Sequence, residues 1–102
     1  MKKVINGKMY NTDTATCVAS WDNGRGCGDF NYIEEYLYKK TTGEFFLHGE
    51  GGANTSYSRC CGSNSWCGGE RIEPMSEKEA REWTENHCDG DKYEEIFGEV
   101  AE

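Results

Sequence analysis

Y-I-E-E-Y-L-Y-K-K-T-T-G-E-F-F-L-H, residues 32–48, is the strongest strand pattern in this 102-residue chain. Two runs rich in aromatic and branched side chains flank a short turn, in which Gly43 suits the left-handed position of a three-residue loop. The pattern predicts a β-hairpin with Leu37 opposite Leu47. Because apolar residues fall on both faces, we expect this hairpin to lie at the centre of a small antiparallel sheet.

A C-terminal helix is predicted to pack on that sheet. Ser76 and Glu79 have the spacing of a capping box, and an apolar stripe that includes Trp83 follows them, which predicts a helix over about 77–88. A short second helix is expected over 91–97. The predicted fold class is therefore α+β, with one small antiparallel sheet, in a single domain spanning residues 1–102.

Three other segments are predicted from local signals. The pair Asn6-Gly7 between two short runs predicts an N-terminal hairpin over 4–10. Residues 13–21 are predicted to form a short helix, since polar capping residues precede a narrow apolar stripe. Residues 70–73 are expected to form a short edge strand at best, which Pro74 ends.

The chain contains six cysteines, three of them within Y-S-R-C-C-G-S-N-S-W-C-G-G, residues 57–69. A thiolate on a tight turn beside glycine can ligate a metal while backbone N–H groups point at the sulfur. This predicts a closed structural zinc site that staples the cysteine-rich loop. The predicted ligands are Cys27, Cys60, Cys61 and Cys67, with Cys17 or Cys88 as a substitute for one of them.

Other roles for the cysteines are open at this point. The spacing C-C-x5-C lacks the paired C-x2-C of a strong zinc motif. Cys17 and Cys88 fall in helix-like segments and are expected to be buried thiols. A disulfide framework would require an oxidising compartment. A redox thiol at Cys60, beside Arg59, is a further alternative, although the chain has no C-x-x-C motif.

The formal charge of −8 is unevenly distributed. Residues 1–69 carry seven acids and seven bases, whereas residues 70–102 carry twelve acids and four bases. Such a balance argues against direct binding of nucleic acid and favours a protein partner with a basic surface; a solvated face that promotes solubility is the alternative. Trp66 and Tyr57 are predicted to be exposed apolar anchors for the partner; the alternative for both is that they cover the metal cluster. The carboxylates predicted to face the partner are Glu77, Glu82, Glu85, Asp89, Asp91, Glu94 and Glu95.

No catalytic constellation is recognisable, so the chain is predicted not to be an enzyme. Its two histidines, His48 and His87, lie in no nucleophile or metalloprotease motif. The first residues lack the apolar run of a signal peptide, and no stretch is long enough to cross a bilayer. A cytoplasmic location without membrane contact is therefore expected.

Three motifs resemble a group of small proteins from mobile elements and phages of Gram-positive bacteria. They are L-Y-x-K-x-T-G-x-F-F-L-x-G-E-G-G over 37–52, I-E-P-M-S-x-x-E-A-x-x-W over 72–83 and Y-E-E-I-F-G over 93–98. The acidic, cysteine-rich character is similar to that of a zinc-containing anti-CRISPR protein. The resemblance implies an inhibitor that binds a type II RNA-guided nuclease and hinders loading of target DNA. The alternative is a zinc-binding accessory or regulatory protein of a mobile element that acts through another protein partner.

Overall fold

Four antiparallel strands form the central sheet of the computed structural model, which describes residues 1–26, 28–62 and 65–100. The sheet has the order β3-β4-β5-β8, while β1 pairs with β2 and β6 pairs with β7 in two separate hairpins. The described strands are β1 (Lys2–Ile5), β2 (Lys8–Asn11), β3 (Thr16–Asp22), β4 (Ile33–Lys39), β5 (Phe45–Gly51), β6 (Arg59–Gly62), β7 (Ser65–Cys67) and β8 (Gly69–Met75). The described helices are α1 (Glu77–His87) and α2 (Gly90–Phe97). The α+β class with antiparallel pairing is confirmed.

The predicted central hairpin is confirmed in position and register. Leu37 lies opposite Leu47 in β4 and β5, and these two strands occupy the middle of the sheet. The loop closes with the backbone N–H of Lys40 donating to the carbonyl oxygen of Glu44 at 2.8 Å. Gly43 has φ +92°, the left-handed conformation that the loop requires of this residue.

One face of the sheet packs on the helices. Leu37 and Leu47 project from the central strands toward α1, where Ala80 and Trp83 complete the same buried cluster. The capping box forms as predicted, since the Ser76 hydroxyl accepts from the backbone N–H of Glu79 and the Glu79 carboxylate accepts from that of Ser76. The capping box thus determines where α1 begins, and the apolar stripe packs the helix on the sheet.

The other face is covered in part by the N-terminal hairpin. Asn6 and Gly7 both have positive φ, as a type I′ turn requires, and so β1 and β2 pair as predicted. The Tyr10 ring of this hairpin meets Phe46 edge-on at 5.5 Å, and Ile72 of β8 completes the cluster. The two core clusters therefore lie on opposite sides of one sheet.

The prediction of a helix over residues 13–21 is wrong, because residues 16–22 form edge strand β3. The side chain of Asn11 accepts from the backbone N–H of Asp13 at 3.0 Å, which makes a local turn instead of a helix cap. The segment gains a ladder of backbone hydrogen bonds by pairing with β4, and this tertiary pairing outweighs a weak helical pattern. Cys17 consequently lies exposed on a strand.

Strand β8 is longer than predicted and includes Pro74. It runs over residues 69–75, and Pro74 lies opposite Phe46 of β5. Because β8 is an edge strand, a residue without a backbone N–H is tolerated when that position faces outward. The proline therefore does not end the strand, which continues to Met75.

Candidate functional site

The register of the central sheet places four carboxylates in one transverse row. Asp22 lies opposite Glu34, Glu34 opposite Glu50, and Glu50 opposite Glu70. Paired residues of adjacent strands project from the same face at a strand spacing of about 4.8 Å. We call these four residues the acidic row. It lies on the face that the N-terminal hairpin covers farther along the strands, opposite the two helices.

Polar and aromatic side chains lie next to the acidic row. The Tyr36 hydroxyl donates to Glu34 at 2.9 Å, and the Nε2 atom of His48 lies 3.3 Å from the Glu70 carboxylate. The Tyr36 and His48 rings stack at 6.2 Å between centroids. A groove of about 510 Å³ borders the row at its Glu50 and Glu70 end. The carboxylates of the row can accept cationic groups, and one cation, Arg59, already lines the groove beside Glu50 and Glu70.

Two side chains at the acidic row, Glu50 and Tyr36, have raised pKa values. Partial burial raises the pKa of Glu50, and the hydrogen bond and negative charge of neighbouring Glu34 raise it further. The hydrogen bond to Glu34, followed by burial, raises the pKa of Tyr36 to about 12. Like charges directly opposite each other destabilise a sheet. A ligand that carried cationic groups to this row would relieve that repulsion.

Glu50 is expected to make the stability of the protein depend on pH. Since its pKa is raised in the folded state, folding favours the protonated form, and this stabilisation is lost as pH rises above the ordinary value of 4.5 through the folded pKa. We expect the free energy of unfolding of the wild type to fall relative to that of Glu50→Gln between mildly acid and neutral pH. Urea denaturation of both proteins across this range measures the difference, and parallel profiles would contradict the prediction.

A second polar cluster lies on the helix side of the sheet and centres on Glu35. Its carboxylate, 15% exposed, accepts hydrogen bonds from the Trp83 indole Nε1 at 3.0 Å and from the Tyr57 hydroxyl. The His87 Nε2 atom is 3.9 Å away, and the His87 ring lies 4.2 Å from the Trp21 ring. We call Glu35, Tyr57 and Trp83 the Glu35 network. It ties sheet, loop and helix together.

Gly49 explains how Tyr57 reaches the Glu35 network. A Cβ atom at Gly49 would lie 2.1 Å from the Tyr57 hydroxyl oxygen, so only glycine leaves room for the tyrosine over the sheet. The Arg71 guanidinium lies 4.7 Å from the centroid of the Tyr57 ring and covers its outer side. Tyr57 is only 6% exposed, and its prediction as an exposed partner anchor is therefore wrong.

The predicted zinc cluster is not formed by the described cysteines. Cys61 and Cys67 are joined in a disulfide, with their Cα atoms 5.8 Å apart, because pairing of β6 with β7 brings them within bonding range. Cys60 is an exposed free thiol, and Cys27 lies outside the described residues. Within residues 1–26, 28–62 and 65–100, no group of three or more His, Cys, Asp or Glu side chains is arranged to hold a metal ion. The zinc-stapled part of the fold prediction is thus unsupported.

The two substitute ligands are placed apart from the cysteine-rich loop in the fold. Cys17 lies on β3, whereas Cys88 is half-buried at the C-terminal cap of α1. Burial raises the pKa of both thiols. Cys88 contacts the helix-side core, as expected for a packed thiol.

The carboxylates predicted to face a partner are at the protein surface, but several have local roles. Glu77 lies 3.5 Å from Arg81, Glu95 lies 3.1 Å from Lys92, and Asp89 caps α2. Trp66 of β7 is 62% exposed, in agreement with its predicted exposure. The residues that complete the predicted surface are exposed Glu82, Glu85, Asp91 and Glu94.

Comparison with known proteins finds no match, whether among family models, curated proteins or solved structures. The class that the fold defines is a small α+β protein with antiparallel sheets and two C-terminal helices. Neither of the described helices is long and apolar enough to cross a bilayer.

Proposed function

We propose that this chain is a non-enzymatic binding protein that docks on a positively charged surface of another protein. The observation that carries the proposal is the acidic row, in which the register sets four carboxylates side by side on an open part of the sheet. Lysine and arginine side chains from a partner replace repulsion within the row by attraction across an interface. The net charge of −8 increases the rate of such encounters.

The length of the acidic row indicates the length of the basic surface that pairs with it. Three strand spacings span about 14 Å, the length of a short basic segment or of a few lysines and arginines on one face. Exposed Trp66 supplies an apolar side chain, although it lies on the separate β6–β7 hairpin. Charged contacts set the rate and specificity of association, while apolar anchors contribute most of the affinity.

The partner we propose is a type II RNA-guided nuclease, in the cytoplasm of a bacterial host. The resemblance to anti-CRISPR proteins supports this choice, and such nucleases hold their heteroduplex in a positively charged channel. A protein that occupies that channel through carboxylates competes with nucleic-acid phosphates and hinders loading of target DNA. The alternative is an accessory or regulatory protein of a mobile element with a different basic protein partner.

Two triple variants with equal changes of charge test which surface binds. Glu34→Gln, Glu50→Gln and Glu70→Gln neutralise the acidic row, whereas a matched triple neutralises exposed helix carboxylates. We expect the row variant to weaken binding to the guide-loaded nuclease roughly a hundredfold and the helix variant only about threefold, since paired charges outweigh isolated rim charges. The matched helix substitutions are Glu82→Gln, Glu85→Gln and Glu94→Gln.

Biolayer interferometry at about 0.15 M salt, where surface charges are screened beyond ~8 Å, measures the two affinities. Loss of binding in the helix variant alone would move the interface to the surface that the sequence predicted. If the wild type binds no nuclease of this type but is captured by another basic protein, the accessory role replaces inhibition. If the wild type binds no basic protein at all, the proposal is wrong.

Zinc binding stays a prediction for the reduced chain. In a reducing cytoplasm the Cys61–Cys67 bond opens, and the thiols of Cys61 and Cys67 become available, together with the free thiol of Cys60, to join Cys27 as ligands. We expect elemental analysis of protein purified under reducing conditions to find one zinc per chain and chelation to lower its melting temperature. Cys60→Ser is expected to lower the zinc content, with Cys17→Ser as the control. Absence of zinc from reduced protein would contradict the prediction.

A further inference from the structure

The disulfide lies in an exposed hairpin that is separate from the main sheet. Strands β6 and β7 pair only with each other among the described strands. Residues 59–62 and 65–66 are exposed, and Cys67 is half-buried. We call β6 and β7 together the cysteine hairpin. Both bonded cysteines belong to it, so the bond cross-links neither the four-stranded sheet nor the helices.

The register places the paired residues of the cysteine hairpin on two alternate faces. Arg59 lies opposite Cys67, whereas Cys60 lies opposite Trp66. Since paired residues project from the same face, Cys67 shares its face with Arg59, whereas the free Cys60 thiol shares the other face with Trp66; the register shifts between Cys60 and Gly62, at Cys61. Cys60 donates instead to the carbonyl oxygen of Gly62 at 3.0 Å. Cys67 of the disulfide thus has cationic Arg59 as its cross-strand partner, and Arg59 also lines the groove beside Glu50 and Glu70.

We propose that the cysteine hairpin is a thiol–disulfide exchange site for low-molecular-weight thiols of the glutathione class. An external thiolate attacks the exposed Sγ of Cys61 and forms a mixed disulfide. The Sγ–Sγ bond breaks, and Cys67 leaves as a thiolate with the bonding electron pair. A second external thiolate then attacks the external sulfur of the mixed disulfide and releases Cys61 as a thiolate. Two external thiols are oxidised to one external disulfide, and the protein disulfide is reduced to two thiols.

Arg59 favours this direction of attack. Exchange is faster when the leaving thiol has a lower pKa, and a neighbouring guanidinium stabilises a thiolate. Cys67, opposite Arg59, is therefore the better leaving group, and Cys61, the more exposed cysteine, is the better target. Exposed disulfides are the exchangeable class, whereas disulfides that resist cellular thiols are typically structural.

The experiment incubates the oxidised native protein with millimolar reduced glutathione and quenches samples with iodoacetamide at timed intervals. Mass spectrometry of peptides then counts the alkylated cysteines. We expect Cys61 and Cys67 to open at a rate within about tenfold of that of a small unshielded disulfide, with an unchanged circular dichroism spectrum. A bond that opens only after the fold is lost in urea would overturn the proposal.

Two single variants test the assigned roles. Arg59→Gln is expected to slow opening about threefold or more, because the departing Cys67 thiolate loses its cationic neighbour. An unchanged rate would overturn the role of Arg59. Cys60→Ser is the matched control and is expected to open at the wild-type rate. Loss of opening in Cys60→Ser would make Cys60 the attacking thiol and overturn the external route.

Discussion

Replacing Phe46 by alanine is expected to lower the free energy of unfolding by about 3–5 kcal/mol, the largest single effect in this protein. Phe46 is fully buried, with the Tyr38 ring stacked 5.1 Å away and the Tyr10 ring edge-on at 5.5 Å. Its ring fills the space between the N-terminal hairpin and the sheet. Truncation therefore removes apolar contacts and leaves a cavity that two hairpins border.

Phe30→Ala is the matched control, because it makes the same substitution at a side chain that is 69% exposed. Its free energy of unfolding is expected to stay within about 0.5 kcal/mol of wild type. Urea denaturation followed by circular dichroism measures both variants. Equal losses in the two proteins would show that the Phe46 layer is not a core.

Glu35→Ala is expected to destabilise the protein by about 2–4 kcal/mol. The substitution removes the acceptor of both the Trp83 indole N–H and the Tyr57 hydroxyl, and each of these residues is 6% exposed. Buried donors without an acceptor cost the free energy of their desolvation. The effect combines two unsatisfied groups on two different elements.

The adjacent residue supplies the control for Glu35. Glu34 projects from the opposite face, and Glu34→Ala removes its hydrogen bonds with Tyr36 and Glu50 but also relieves charge repulsion with Glu50. Its effect is expected to stay within about 1 kcal/mol, as these two changes oppose each other. Chemical denaturation of both alanine variants, of Tyr57→Phe and of Glu35→Ala combined with Tyr57→Phe forms the test. Additive losses from Glu35 and Tyr57 would disprove their coupling.

Elements with strong local patterns were predictable from sequence. The central hairpin follows from its alternating apolar residues and Gly43, and α1 follows from Ser76 and Glu79. Strand β3 was not predictable in the same way. Its local pattern resembles a short helix, and its identity as a strand depends on pairing with β4.

The acidic row shows why this candidate site could not be predicted from composition. Asp22, Glu34 and Glu50 belong to residues 1–69, where acids and bases balance, and only Glu70 belongs to the acidic third of the chain. Register between four strands, a non-local property, aligns them. Charge counted along the chain therefore directed the prediction to the helices.

The sequence does not predict the Cys61–Cys67 disulfide, for a related reason. From sequence, a disulfide is less favoured than a zinc site, because it would require an oxidising compartment. Which sulfur atoms lie within bonding distance depends instead on the geometry of the β6–β7 pairing. The sequence does not predict the Glu35 network, because it indicates an exposed position for Tyr57. Three glycines in the sequence indicate close packing of a loop on the sheet. At each of them a loop side chain or backbone fills the space that a Cβ atom would occupy; they are Gly49, Gly51 and Gly69.

The two outer strands of the main sheet bear on self-association. An open sheet edge offers unpaired backbone groups to other chains, which is a common origin of fibrils and precipitates. Strand β8 carries Pro74 and a run of charged residues, and β3 is interrupted by a bulge between Cys17 and Ala19. Both edges thus have features that discourage strand addition, the step by which ordered aggregates grow.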